Sequence, residues 1–310
     1  MAAVVVGIDV SKDSLEVHCR PSGLSFSVSR DPAGLDELVA QLAPLEPVLI
    51  ALEASGGFES VVTARLSVAA LPVVVVNPAQ VRQYAKAVGK RAKTDPIDAA
   101  VIALFAEATN PPVRELPDEE TRVLNSLLAR RRQIVEMSVA ERQRLRQATT
   151  TTLKKSIQRL LKALQHELHE LDREIGDIVK RTPAWREKED LLRSVPGVGP
   201  VISRTLIAAM PELGRLDRRQ AASLAGVAPF TRESGKWRGK TFIGGGRSDV
   251  RQMLYMGAVN ATRFNPQLAA FYQRLKAAGK APNQALIAVA RKLLAILNAI
   301  IRDRKPWLPA

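Results

Sequence analysis

The first 110 residues constrain this chain most, because their apolar residues change period in a definite order. "AAVVVGIDVS" is a near-continuous apolar run, the pattern of a strand covered on both faces. "SLEVHCR" and "LSFSVSR" then alternate with period two across short turns, which predicts an antiparallel meander. "DPAGLDELVAQLA" starts with helix-opening residues and keeps helical spacing; "PVLIALEAS" reads as a strand, "FESVVTARLSVA" as a helix and "LPVVVVN" as a strand. A further helix is expected from Asp95 through "AAVIALFAEA". Three strands, then helices alternating with strands, predict an α/β domain over residues 1–112: a mixed sheet with helices packed on it, closed by Pro111, Pro112 and Pro117.

Long helices are expected next, over residues 113–188. Ile157, Leu161, Leu164, Leu168, Leu171, Ile175 and Ile178 alternate spacings of four and three, a heptad seam that predicts a coiled coil within or between chains. The run Thr149–Thr152 is poor helix material, since β-branched side chains lose rotamer freedom there; it reads as a break, with a continuous helix as the alternative. The last third, residues 189–310, is expected to be mainly α. In "LLRSVPGVGPVISRTLIAAM" two helices flank a turn whose Gly197 and Gly199 would let backbone N–H groups approach a phosphate, as in a helix–hairpin–helix; a plain connecting turn is the other reading.

Charge narrows the partners. The chain carries a formal +15 over 310 residues and a sequence pI near 10.3. Such self-repulsion is relieved by a polyanion, so nucleic acid is the expected partner. A membrane is not expected: the N-terminus lacks a basic-then-apolar leader, and the late apolar stretch from Ala285 to Ile301 carries Arg291 and Lys292 in its middle, so it reads as an amphipathic or packed helix. The single cysteine, Cys19, excludes an internal disulfide and points to a reducing, cytoplasmic setting. Neither it nor the three histidines show zinc-site spacing. Cations expected to meet phosphate are Lys12, Lys86, Lys90, Arg91 and Lys93 in the first third and Arg130, Arg131, Arg142 and Lys154 on the long helices. Arg232, Lys236, Arg238, Lys240, Arg247 and Arg251 follow near the C-terminus, around a Gly244–Gly246 run that reads as flexible.

Four carboxylates carry the chemistry. Asp95 before Pro96 can be a helix N-cap, and Asp98 can serve the first turn. Asp9, however, interrupts an apolar strand end, and Glu53 does the same in "ALEASGG". Converging carboxylates repel and raise one another's pKa, a cost that a divalent cation removes. Hard oxygen donors select Mg²⁺, with Mn²⁺ as a substitute, and two such ions assist both attacking and leaving oxygens in phosphoryl transfer.

The stretches "GIDVSKDSLEV", "LEASGGFE", "NPAQVRQYAKAVGKRAKTDPIDA", "PGVGPVISRTLIAAMPELG", "LAGVAPFTRESGKWRGK" and "GGGRSDVRQMLYMGAV" together resemble the DEDD transposases of insertion-sequence family one-ten, with the related Piv-type DNA invertases. The resemblance runs the length of the chain. It implies a RuvC-like (ribonuclease H fold) domain, a coiled-coil middle and a C-terminal transposase domain, with the acidic set at Asp9, Glu53, Asp95 and Asp98. It also implies a nucleophilic serine at Ser234 in "TRESGKW", although Glu233 stands where aspartate is expected. Ser248 and Tyr255 are rival hydroxyls that do not match the serine position.

The resulting expectation is a recombinase acting on donor and target DNA through a covalent phosphoserine link, without ATP, since no P-loop motif is present. The resemblance further implies a noncoding guide RNA from the element and an oligomer, a dimer or tetramer. Two other readings stand beside it: a junction-resolving nuclease using metal-activated water, and a binding protein without catalysis. The third domain and Ser234 argue against the first, and the intact acidic set argues against the second.

Overall fold

The computed structural model describes residues 3–89, 95–113, 118–231, 233–234, 237–239 and 241–308; of residues 95–97, 237 and 238 it describes the backbone. The chain divides into two compact units, Met1–Leu116 and Pro117–Ala310.

The first unit is built on a five-stranded sheet of β1 (Val5–Val10), β2 (Ser14–Arg20), β3 (Ser25–Ser29), β4 (Leu49–Glu53) and β5 (Val73–Val76). The spatial order is β3-β2-β1-β4-β5. β1, β2 and β3 form the antiparallel meander, while β4 and β5 run parallel to β1. The mixed α/β sheet is therefore the one the apolar periods predict. Helices α1 (Pro32–Leu42) and α2 (Glu59–Val68) follow β3 and β4; α3 (Pro78–Ala87) and α4 (Asp95–Thr109) follow β5. α3 was not among the expected elements, yet its signal is ordinary: Asn77 accepts from the Ala79 N–H as N-cap, with Pro78 at the first position.

Each face of the sheet has its own core. Ile8, Leu15, Val17, Ile50 and Leu52 pack with Leu35, Leu38, Val62 and Leu66 of α1 and α2. On the other face Val5, Leu49, Ala51, Val74 and Val76 pack with Val101, Ile102 and Phe105 of α4. Covering on both sides explains why β1 reads as an unbroken apolar run. Cys19 belongs to the α1–α2 core, where burial pushes its thiol pKa up and keeps it in the inert thiol form.

The second unit opens with two long helices, α5 (Glu119–Gln147) and α6 (Thr151–Arg181). They are separate: Thr150 caps α6 by accepting from the Leu153 N–H, so the threonine run does end a helix. The pair is antiparallel, as Thr182 meets Glu120, Arg131 meets Asp172, and Ile134 packs with Leu164 and Leu171. Ile157, Leu164, Leu171, Ile175 and Ile178 of the heptad seam are buried. Part of the seam, including Ile175, joins the core of the rest of the unit.

That core is made by α7 (Pro183–Arg193), α8 (Pro200–Ala209), α9 (Arg218–Leu224), α10 (Ser248–Phe264), α11 (Pro266–Ala277) and α12 (Pro282–Asp303). α12 covers the late apolar stretch and is a packed helix, as expected, although by length and composition alone it could cross a membrane. Its Val289, Ala290, Leu293, Leu294 and Leu297 are buried in the core beside residues of α8 and α10. Between α9 and α10 lie two two-stranded ribbons: β6 (Pro229–Phe230) with β9 (Phe242–Ile243), and β7 (Glu233–Ser234) with β8 (Trp237–Arg238).

Candidate functional site

β1 and β4 are in parallel register from Val5–Leu49 to Ile8–Leu52, so Asp9 and Glu53 each stand one residue past the last of these pairs. Side chains alternate along a strand. Asp9 therefore shares the face of Val5 and Gly7, and Glu53 that of Leu49 and Ala51, which is the α4 face. α4 crosses that face against the direction of β1. Gly7 lies against Ala99 and Ala103, while farther along α4 Ala106 and Glu107 line one pocket with Ala3 and Val5. The helix start, with Asp95 and Asp98, thus falls toward the Asp9 and Glu53 end of the sheet. Gly7 is what permits the approach: a Cβ there would stand 2.3 Å from the Ala103 backbone nitrogen.

Asp9, Glu53 and Asp98 are all half-buried. Asp9 also lies directly opposite Glu16 of β2, which is half-buried as well. A like-charge pair across two strands is unfavourable by itself, so this end of the sheet suits a cation. Among the described residues no three His, Cys, Asp or Glu side chains form a metal-holding group; the Asp95 side chain is outside that set. In donor chemistry the carboxylates fit a hard divalent ion, such as DEDD-type transposases use.

One carboxylate near this sheet end escaped the sequence reading. Glu59, six positions past Glu53, accepts from the N–H groups of Ser55 and Gly57 and from the Ser55 hydroxyl. It ties down the loop that leaves the acidic strand end. Burial alone would raise its pKa, but these donors outweigh it and hold the carboxyl below its usual range. The signal was available: a Ser-Gly-Gly turn with an acid in the first turn of the next helix.

Ser234 is exposed on β7, opposite Trp237 across the ribbon. Gly244–Gly246, which looked like a flexible run, is held in place. Gly245 and Gly246 have positive φ, a Cβ on Gly246 would meet the Gly226 nitrogen at 2.4 Å, and the Arg251 guanidinium donates to the Gly245 carbonyl at 2.6 Å. The rival hydroxyls lie elsewhere on α10: Ser248 begins the helix, and the Tyr255 hydroxyl donates to Asn283.

The expected phosphate-binding cations divide sharply. Lys12, Lys86, Arg130, Arg142 and Lys154 are exposed. Arg131 is engaged in a forked pair with Asp172, its side chain only 16% exposed. Arg247 is likewise engaged, with both carboxylate oxygens of Glu212 and the Ala209 carbonyl. These two brace the unit from within. Lys90, Arg91, Lys93, Arg232, Lys236 and Lys240 lie outside the described residues, and of Arg238 the backbone alone is described. In the α7–α8 turn Gly197 has φ +98°, and a Cβ there would meet Ala261 at 2.7 Å; a Cβ on Gly199 would meet open space. Gly197 is thus required by packing, whereas Gly199 opens α8 without that constraint.

Half-buried carboxylates at one sheet end, in a strongly basic chain, fit a protein that acts on nucleic acid. Comparison with known proteins agrees. Residues 6–154 match the DEDD-type IS110 transposases, and residues 189–273 match the "Transposase IS116/IS110/IS902 family". A pilin gene-inverting protein of Moraxella bovis is 30% identical over 240 residues, 76% of this chain and 74% of that protein. Insertion element IS900 of Mycobacterium paratuberculosis encodes an uncharacterized 42 kDa protein 34% identical over 158 residues, 47% of this chain and 38% of that one. A 44.8 kDa protein of insertion element IS116 from Streptomyces clavuligerus is 30% identical over 152 residues, with the same two shares. The chain belongs to the IS110 family of transposases and DNA invertases, and it is a DNA recombinase.

Proposed function

We propose that this recombinase cuts and rejoins DNA with Ser234 as the nucleophile and with Mg²⁺ held by Asp9, Glu53, Asp95 and Asp98. The observation that carries this reading is the register of β1 and β4, with Asp9 and Glu53 on the α4 face at the end of the sheet where α4 begins. The order β3-β2-β1-β4-β5, with β4 and β5 parallel to β1 and β2 antiparallel to it, supports reading this unit as RuvC-like. Bound Mg²⁺ would lower the cost of charge building on phosphate oxygens. The chain's own groups do the rest. Ser234 Oγ loses its proton and bonds to phosphorus, one bridging P–O bond breaks, and the departing sugar oxygen takes up a proton. The phosphodiester energy is kept in the phosphoserine link, so rejoining needs no ATP.

The exposed position of Ser234 on a short ribbon favours this role, since a nucleophile must reach a phosphate held by other groups. Lys12, Lys86, Arg130, Arg142 and Lys154 supply nonspecific phosphate affinity. Base pairing by a guide RNA from the element would choose the DNA sequences, and synapsis of two sites would use a dimer or tetramer in which the α5–α6 hairpin takes part.

Adduct trapping tests the proposal. The protein is co-expressed with the element's flanks, given labelled junction DNA and Mg²⁺, and run on a denaturing gel. A labelled protein band absent in Ser234→Ala and in Asp9→Ala is the expected result. Cut DNA without any adduct would replace the serine mechanism with hydrolysis.

A further inference from the structure

Phe230 and Phe242 stand directly opposite each other on β6 and β9. Their rings stack with centroids 6.0 Å apart and planes 30° from parallel. Both remain substantially exposed, at 44% and 42%. In a chain with seven phenylalanines in 310 residues, this pairs two rings that are partly in solvent and outside the core. The two-residue ladder could not hold them alone. The clamp does: β9 runs into Gly244–Gly246, which is fastened to Gly226 and to Arg251, and the Arg247 N–H donates to the Leu224 carbonyl. The aromatic pair is therefore mounted on the helical core.

Its place in the chain matters more. The segment that leaves Phe230 and returns to Phe242 carries Ser234, and it also carries Arg232, Lys236, Arg238 and Lys240. Ser234 lies four positions past Phe230, so an extended chain puts them at most about 13 Å apart. That is roughly four steps of a stacked nucleic-acid strand at about 3.4 Å each. Aromatic faces for bases, with cations for phosphates, form the combination by which proteins hold single strands.

We propose that Phe230 and Phe242 form a stacking platform for an unpaired base of the DNA strand that Ser234 attacks, within a few nucleotides of the cut. The proposal rests on the Ser234 reading for its choice of DNA. The platform would hold the strand open during exchange and tolerate any base, because every base offers a π face.

The test uses the full-length protein at low salt, where the +15 charge drives binding. The probes are a 20-nucleotide DNA strand with 2-aminopurine at several positions, the blunt duplex of the same sequence, and the ribonucleotide version of the strand. Wild type and Ser234→Ala are expected to quench 2-aminopurine equally in the DNA strand. Phe230→Leu and Phe242→Leu should each weaken single-strand binding by about 5- to 100-fold and remove quenching, with duplex affinity unchanged. Phe230→Trp and Phe242→Trp should restore both, and they carry the test if either leucine variant melts early. Unchanged quenching in the double leucine variant would overturn the platform. So would an equal loss on duplex, quenching of the ribonucleotide strand alone, or a shift from oligomer to monomer in sedimentation, which would make the pair a contact between copies. Wild-type protein that quenches 2-aminopurine but forms no covalent adduct would instead strike the Ser234 reading and leave the platform standing.

Discussion

The two units hold their reactive groups in opposite ways. In the first, Asp9 and Glu53 sit on neighbouring central strands, each held by a backbone ladder on a sheet covered on both faces. In the second, Ser234 rides a two-residue strand paired with another of two residues, exposed, above the fastened Gly244–Gly246 segment. In the proposed function, the difference follows from what each group would do. Carboxylates sharing an ion would need spacing fixed to a fraction of an ångström, which a sheet register supplies. A nucleophile that reaches, bonds to and releases a strand would gain from an exposed mount on a rigid base.

Removing chemistry without removing structure breaks the comparison most severely. Asp9→Ala and Ser234→Ala should each lower strand joining by roughly 10³-fold or more. Thermal melting of Ser234→Ala should match wild type, because the side chain is exposed. Chelation of divalent ions should mimic Asp9→Ala, and Mg²⁺ or Mn²⁺ should restore joining; joining that survives chelation would remove the metal from the account.

Backbone approach comes next. Gly7→Ala sets a Cβ 2.3 Å from the Ala103 nitrogen and should destabilise the first unit by about 1–3 kcal/mol, with loss of cutting. Gly197→Ala should do the same to the second unit, given its positive φ and its contact with Ala261. Gly199→Ala, facing open space, should leave melting unchanged. Hydrogen exchange resolved by unit would read all three, and a Gly7→Ala protein protected like wild type would mean α4 is not held against β1.

A smaller effect separates the two loops. The Glu59 carboxyl is held below its usual range when folded, so its contribution is present above the ordinary carboxylate pKa and fades as pH falls through the depressed value. Glu59→Gln should flatten the acid limb of the first unit's melting profile and lower joining more than it lowers stability at neutral pH. An unchanged acid limb would show that the Ser55–Gly57 loop does not depend on it.

The smallest change is electrostatic. Lys86→Ala or Arg142→Ala, both exposed, should reduce the salt slope of DNA binding by about one each. Arg131→Ala should instead lower melting, since its guanidinium is committed to Asp172.

Much of the fold was legible because its signals are local. Period two in "SLEVHCR", period 3.6 in α1 and the helical spacing of α6 each depend on near neighbours, and the strand and both helices formed. α3 was missed although Asn77 and Pro78 announce it, since its short polar pattern hides beside the cations that follow. Arg131 and Arg247 looked like phosphate ligands because charge in a sequence carries no partner; Asp172 and Glu212 lie tens of residues away. The glycines after β9 read as freedom, and packing turned them into a clamp.

The sequence by itself determined the elements, the positive charge, the family and the acidic positions, because propensity, composition and motif are carried by residues close together in the chain. The tertiary structure alone decided that Asp9 and Glu53 share the α4 face at the end where that helix begins, which cations are committed to carboxylates, and that Phe230 meets Phe242. Those facts depend on strand register and on the close approach of α4 to Gly7, and such pairings are set by burial between segments far apart in the chain.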